Sequence, residues 1–303
     1  MHPNLENLTT ESGDPRHAHI DLLGVAELAT LMNEADQSVP LAVHAALDDI
    51  VRGITLVSER MERGGRLFYV GTGTPGRIGV LDASEIPPTF SVEGRVVGIM
   101  AGGRDAIFNA VEGIEDDAAA GARAVDEAGI GPLDSVVGVA ASGRTPFVIA
   151  AVRRARELGA LGVGFSCNQD TELSAAADHA IEVVVGPEVV SGSTRLKAGT
   201  AQKLVLNMFS TISMVRLGRT YGDLMIEVNA SNEKLRERAV RMVMRISGAP
   251  RDDAQRALEA TDYAVPVASL MLLRGLSADA ARTQLDAADG RLRTALEHSE
   301  ETP

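Results

Sequence analysis

The chain has 303 residues, of which 45% are apolar, and a formal net charge of −13; this is enough for one large α/β domain plus a smaller unit around a substantial core. Aromatics make up 3% and tryptophan is absent, which leaves no stacking platform for bases or polysaccharide chains. The acidic balance, with no basic stripe, excludes nucleic acid as a partner, and any anionic ligand must find its positive potential locally.

Residues 1–20 are polar, punctuated by Pro3, Gly13 and Pro15, and read as an extended N-terminal arm or a disordered tail. They lack the charged and apolar regions of a secretory leader, and no uncharged apolar run reaches the ~18 residues of a membrane span. Ser38-Val39-Pro40 supplies a helix start, and the apolar positions Leu41, Val43, Leu47, Ile50, Ile54 and Val57 predict one long helix ending at Gly64-Gly65. Strand and helix patterns then alternate: strand 66–70, a helix from about 76, strand 95–100, helices within 104–128, strand 134–140, helix 145–158, strand 160–165 and strand 180–185. Such alternation predicts an α/β fold, a doubly wound and mostly parallel sheet preceded by N-terminal helices.

A helix beginning at Ser193 is apolar on more than one face, through Leu204, Val205, Leu206, Met208, Phe209, Ile212, Met214 and Val215, so it must be covered, either by its own core or by a second copy of the chain. Another helix is predicted over 231–247. After Gly248-Ala249-Pro250 the pattern becomes a small C-terminal three-helix module, with Ala254, Leu258, Val265, Ala268, Leu270, Leu273, Ala280, Leu285 and Leu292 as its candidate core. The expected domains are the arm 1–20, the α/β domain with its N-terminal helices over 21–248, and the helical module 249–303.

Two stretches repeat one arrangement, an apolar strand running into a Gly/Ser/Thr-rich turn that opens a helix. In the first, Leu67-Phe68-Tyr69-Val70 leads into Gly71-Thr72-Gly73-Thr74-Pro75-Gly76-Arg77; in the second, Val136-Val137-Gly138-Val139-Ala140 leads into Ala141-Ser142-Gly143-Arg144-Thr145-Pro146. Glycines allow close backbone approach, hydroxyls donate, and a helix start offers N–H groups and the positive dipole end, so each turn is suited to an anion. Neither has the spacing of a dinucleotide site or a P-loop, which leaves a compact phosphorylated metabolite. Such ligands bind beyond the carboxyl ends of the strands, where both turns lie.

The single cysteine, Cys167, excludes an intramolecular disulfide and a thiolate zinc cluster, and a cytoplasmic location is expected. His17 and His19 form the only close histidine pair and have no metal-like companions, so they read as arm residues that can reach a partner subunit's site. No metal and no cofactor is expected.

The two turns resemble the sugar-isomerase (SIS) domain, a phosphosugar-binding fold. More specifically, Thr10-Glu11-Ser12 with Pro15-Arg16, the run 71–90 containing Leu81-Asp82-Ala83-Ser84-Glu85 and Pro87-Pro88-Thr89, Val111-Glu112-Gly113-Ile114-Glu115-Asp116, the run 140–146, and Gly192-Ser193-Thr194-Arg195-Leu196-Lys197-Ala198-Gly199-Thr200-Ala201-Gln202-Lys203 resemble the N-acetylmuramic acid 6-phosphate etherases. The resemblance runs from about residue 9 to the C-terminal module, which is similar to the family's small ubiquitin-associated-like end. It implies a cofactor-free lyase of peptidoglycan recycling that releases D-lactate and N-acetylglucosamine 6-phosphate. It places the family's catalytic glutamates on Glu85 and Glu115, with Glu85 assigned as acid and Glu115 as base. By residue type and place, Gly73, Thr74, Ser142, Gly143 and Thr145 are the candidate phosphate contacts. Lys197 is a candidate positive charge, or a solvated helix lysine; Asn168 is a candidate sugar contact, or an ordinary turn residue.

This chain departs from the family pattern at Pro75, where serine is usual, at Ile86 in place of cysteine, and at Thr72 in place of alanine. Proline removes a hydroxyl and an N–H from the first turn, and losing one charge-assisted phosphate bond weakens binding by about 1.5–3 kcal/mol unless Thr72 and Thr74 compensate. Two other readings remain open: a non-catalytic sugar-phosphate-binding regulator such as the glucokinase regulatory protein, favoured by Pro75 and opposed by Glu85 and Glu115, and an aldose-ketose isomerase. The expected partners are the phosphosugar and, as a homodimer, a second copy of the chain; no membrane partner is expected.

Overall fold

The computed structural model describes residues 8–228 and 230–297. The chain forms two compact units, one from residues up to 84 together with 94–213, the other from 85–93 together with 214 onward. The expected arm thus lies partly outside the described residues, in its first seven positions.

In the first unit, helices α1 (Val25–Asp36), α2 (Ser38–Ala45) and α3 (Leu47–Glu62) precede strand β1 (Leu67–Gly71). The predicted single helix over 38–64 is interrupted at Ala46, where φ −99° and ψ 12° leave the helical region and its N–H closes a tighter turn onto Val43 O. On α3 the buried residues Ile50, Ile54, Val57 and Met61 recur at helical spacing. Helix α1 was not legible as a helix, and it buries none of its residues.

The alternation then continues as α4 (Gly73–Ser84), α5 (Ile86–Phe90), β2 (Val96–Met100), α6 (Gly103–Phe108), α7 (Ala118–Glu127), β3 (Ser135–Val139), α8 (Pro146–Glu157), β4 (Leu161–Ser166), α9 (Glu172–Ala176), β5 (His179–Glu182) and α10 (Lys197–Arg216). The five strands form one parallel sheet in the order β2-β1-β3-β4-β5. The fold class is therefore as expected. The order reverses between β1 and β3, whose ends are in register through Gly71 and Val139. Both anion turns therefore open at the same level, on adjacent strands, at the switch point where doubly wound sheets bind ligands.

Helix α10 begins at Lys197 rather than Ser193 because the buried Glu188 carboxylate accepts from the Lys197 and Ala198 backbone N–H groups at 2.9 and 3.0 Å, capping the helix there. Val205, Leu206 and Phe209 are buried, whereas Ile212 and Val215 are exposed.

A buried polar cluster joins α4 to α10. Asp82 Oδ1 accepts from Asn207 Nδ2 at 2.5 Å and Ser210 Oγ at 3.1 Å, while the Tyr69 hydroxyl donates to Leu206 O at 3.1 Å. Burial pushes the Asp82 carboxyl above its ordinary value of 3.8, although Asn207 and Ser210 pull it back. A raised carboxyl contributes stability that is fully present below the unfolded value and is lost as pH rises through the folded one. Thermal unfolding of Asp82→Asn against the unsubstituted protein, between about pH 3.5 and about pH 7, should therefore show the difference moving in the variant's favour as pH rises. A pH-independent difference would contradict this.

The second unit contains α5, a two-stranded antiparallel ribbon of β6 (Thr220–Tyr221) and β7 (Leu224–Met225), and helices α11 (Glu233–Ser247), α12 (Arg251–Glu259), α13 (Val265–Arg274), α14 (Ala278–Ala287) and α15 (Leu292–Glu297). Val240, Val243, Leu258, Val265, Leu270, Leu285 and Leu292 build its core. Two expected core positions face outward: Leu273 is exposed, as is Ala280, whose N–H is engaged by the capping Ser277 hydroxyl. Ala281 is buried instead. Among the described residues, no helix is long and apolar enough to cross a membrane.

Candidate active site

The first turn places Gly73 at φ +52° at the start of α4, a left-handed conformation that favours glycine. Pro75 falls within the first turn of α4, where its missing N–H removes no intrahelical bond. In the second turn, Gly143 has φ +68°, and a Cβ there would lie 2.4 Å from the Thr171 side chain. Ser142 Oγ accepts from Arg144 N at 3.2 Å, and Thr145 precedes Pro146 at the start of α8. Thr74 stands near the first turn of α10, its Cγ2 lying 3.4 Å from the place a Cβ would occupy on Gly199.

A cavity of about 250 Å³ is walled on one side by Thr72 and Gly73 and on the other by Glu112, Gly113 and Glu115. The structure thus brings Glu115 together with the first anion turn. Glu115 sits on a single helical turn, Ile114–Asp116, between α6 and α7, and its side chain is exposed. Glu85 comes directly after α4, at the N-cap of α5 with no capping side-chain bond, and is also exposed; it belongs to the segment 85–93 that groups with the second unit.

Lys197 and Asn168 do not line the Glu115 cavity. Lys197 is buried, not solvated. Its Nζ donates to Val185 O at 2.7 Å and faces a separate cavity of about 830 Å³, shared with Asp14, Arg16 and His17 of the arm. Burial lowers the Lys197 ammonium pKa, against the pull of Glu188. Asn168 is fully engaged: its Oδ1 accepts from Thr9 N at 2.8 Å and Thr9 Oγ1 at 2.9 Å, and its Nδ2 donates to Thr10 Oγ1 and Ala141 O, each at 3.0 Å. It clasps the arm onto the second anion turn, so residues 8–10 are not a loose tail; Leu8 and Thr10 are buried.

Sequence reasoning missed Glu188 and the arm contact of Asn168. The Thr10-Glu11-Ser12 motif was the available signal for the second; nothing local marks a buried glutamate. The Cys167 thiol is pushed up to about 12, by burial and then by Glu188, which leaves it a poor nucleophile at neutral pH. Among the described residues, no three His, Cys, Asp or Glu side chains gather so as to hold a metal ion.

A family model described as the glucokinase regulatory protein N-terminal SIS domain matches residues 49–156, and one described as the SIS domain matches residues 118–212. N-acetylmuramic acid 6-phosphate etherase of Streptomyces avermitilis is 54% identical over 98% of this chain and 96% of its own length. The chain belongs to the N-acetylmuramic acid 6-phosphate etherase family. Etherases of Rubrobacter xylanophilus, 54% identical over 98% of both chains, and of Yersinia pestis, 49% identical over 97% of this chain and all of its own, are similarly matched. Of the two glutamates the resemblance pointed to, Glu115 lines the cavity beside the first anion turn.

Proposed function

We propose that this chain is a carbon–oxygen lyase that removes the D-lactyl ether from C3 of N-acetylmuramic acid 6-phosphate, giving N-acetylglucosamine 6-phosphate and D-lactate in cell-wall amino-sugar recycling. The observation that carries the reading is the shared cavity of Glu115 with Thr72 and Gly73, at the switch point of a sheet that opens two anion turns side by side.

The chemistry requires two proton transfers. Once the sugar opens to its aldehyde, the C2 hydrogen lies α to a carbonyl and the ether oxygen lies β to it. Glu115 takes the C2 proton, the C3–O bond breaks, and Glu85 protonates the departing oxygen, which leaves as the hydroxyl of D-lactate. Water then adds to C3 of the unsaturated aldehyde and C2 regains a proton, with the two carboxyls exchanging roles. Each positioned transfer contributes about 10²–10⁴-fold. The 6-phosphate is held by Gly73 and Thr74 of the first turn and by Ser142, Gly143 and Thr145 of the second, using backbone approach, hydroxyls and helix starts. Asn168 acts by fixing Ala141 and the arm, and Lys197 supplies positive charge. A cytoplasmic homodimer is the expected setting. What supports the dimer is α1, which buries nothing, beside Leu22, Val25 and Leu41 at 77, 87 and 71% exposure.

The match of residues 49–156 to the regulatory-protein model favours one second reading, a sugar-phosphate sensor. Incubation with N-acetylmuramic acid 6-phosphate separates the two. Stoichiometric D-lactate is expected from the lyase, whereas a sensor, like an isomerase, releases none.

A further inference from the structure

We propose that Arg77 is a positioning residue for the reaction: its guanidinium fixes the segment that carries Glu115 against the first anion turn. The inference rests on the lyase reading above and on Glu115 acting at C2.

Arg77 lies on α4, four residues after Gly73. Its Nε donates to Ile107 O at 2.9 Å, and its Nη2 donates to Ala106 O at 2.8 Å and to Asn109 O at 3.0 Å. These carbonyls are the end of α6, which has only six residues. The last carbonyls of a helix lack intrahelical donors, and a cation is favoured at that end of the dipole. The planar fork of one guanidinium satisfies three of them, which a lysine ammonium on a flexible stem cannot reproduce.

Beyond α6, residues 109–113 have no regular structure, and the single helical turn bearing Glu115 comes directly after them. Such a stretch holds its glutamate in place only if both of its ends are fixed. The far end is pinned by Asp117, whose carboxylate caps α7 through Ala120 N at 2.8 Å. At the near end Arg77 holds Ala106, Ile107 and Asn109. Because Arg77 stands on the same helix that the first turn opens, it locks the two walls of the Glu115 cavity, which it also lines, to one another. The three N–H bonds it spends on backbone direct its role toward Glu115 and away from the phosphate.

The test compares Arg77→Ala and Arg77→Lys with the unsubstituted protein, reading D-lactate release and deuterium uptake at C2 in heavy water. Displacing a catalytic group by about 1 Å costs on the order of 10²-fold in rate. For Arg77→Ala, kcat is expected to fall by about that factor and C2 exchange to fall in step, with KM changed by less than about threefold. Millimolar guanidinium chloride should restore at least about tenfold of the lost rate, and sodium chloride at equal concentration none. Arg77→Lys keeps the aliphatic stem and the charge, so it reports even if the alanine variant fails to fold; the same loss of kcat at unchanged KM is expected of it. A raised KM at unchanged kcat would overturn the proposal in favour of a phosphate contact. Unchanged kinetics, or a loss that guanidinium does not rescue in a folded alanine variant, would also overturn it. If the unsubstituted protein releases no D-lactate, the lyase reading itself has failed.

Discussion

Glu115→Gln is expected to lower D-lactate release by about 10²–10⁴-fold and to abolish deuterium uptake at C2. Glu85→Gln should release no lactate at a comparable rate either, yet retain the exchange. The two outcomes differ because the glutamates serve different bonds: one breaks C2–H, and the other only assists the departure of the oxygen from C3. Glutamine keeps the size and polarity of the side chain and removes its ability to take or give a proton. Both glutamates are exposed, and substitution at such positions usually changes stability by within about 0.5 kcal/mol, so loss of rate is not confounded by unfolding. Proton NMR in heavy water, following C2–H and the lactate methyl together, reads both quantities in one sample. Lactate release by both variants at the unsubstituted rate would remove the carboxyl pair from the mechanism.

Gly76→Ala is expected to destabilise the scaffold at the wall of the Glu115 cavity. A Cβ on Gly76 would lie 2.4 Å from Met100 Sδ and 2.6 Å from Gly71 O. The methionine can swing aside, but the Gly71 carbonyl belongs to the end of β1 and cannot. Gly76 N also donates to Thr72 O at 3.2 Å, closing the turn, so relief of the clash must open the turn at the cavity wall. Forced overpacking of this kind destabilises by about 1–3 kcal/mol, and about 3 kcal/mol is expected because backbone, not side chain, obstructs. The unfolding midpoint of the first unit should fall by several degrees and phosphosugar affinity should fall with it. An alanine variant with unchanged midpoint and unchanged KM would show that the turn is not built on this contact.

The parts of the fold legible from sequence are those whose signal is local. The strands announce themselves as short apolar runs, and the turns as clusters of glycine and hydroxyl residues at their ends. That the two turns are neighbours was not legible, because strand order depends on pairings such as Gly71 with Val139, which no local pattern encodes. Helix α1 escaped for the opposite reason: it buries nothing, and an apolar period needs a buried face to exist. Ala280 misled because a small residue in a helical pattern reads as core, while Ser277 makes it part of a cap.

At the site the same division holds. Asn168 read as a sugar contact or a turn residue, but its hydrogen bonds reach Thr9 and Thr10, 159 and 158 residues away in the chain. Lys197 was expected to be near the ligand or in solvent, and the burial around Val185 and Glu188 that keeps it from solvent was not visible from its helical neighbours. Arg77 stood in full view inside the first turn. Its role depends on three carbonyls about 30 residues downstream, and backbone oxygens carry no sequence signature.

The proposed chemistry breaks the bond between C3 and the ether oxygen, by elimination and then addition of water. Which side of that oxygen is cleaved can be read by running the reaction in ¹⁸O-labelled water and weighing both products by mass spectrometry. A heavy oxygen is expected at C3 of N-acetylglucosamine 6-phosphate, counted apart from the C1 oxygen that exchanges with water through the aldehyde, and none in D-lactate. Heavy oxygen in the lactate instead, with the sugar unlabelled at C3, would place the cleavage on the other side of the ether oxygen and refute elimination across C2 and C3.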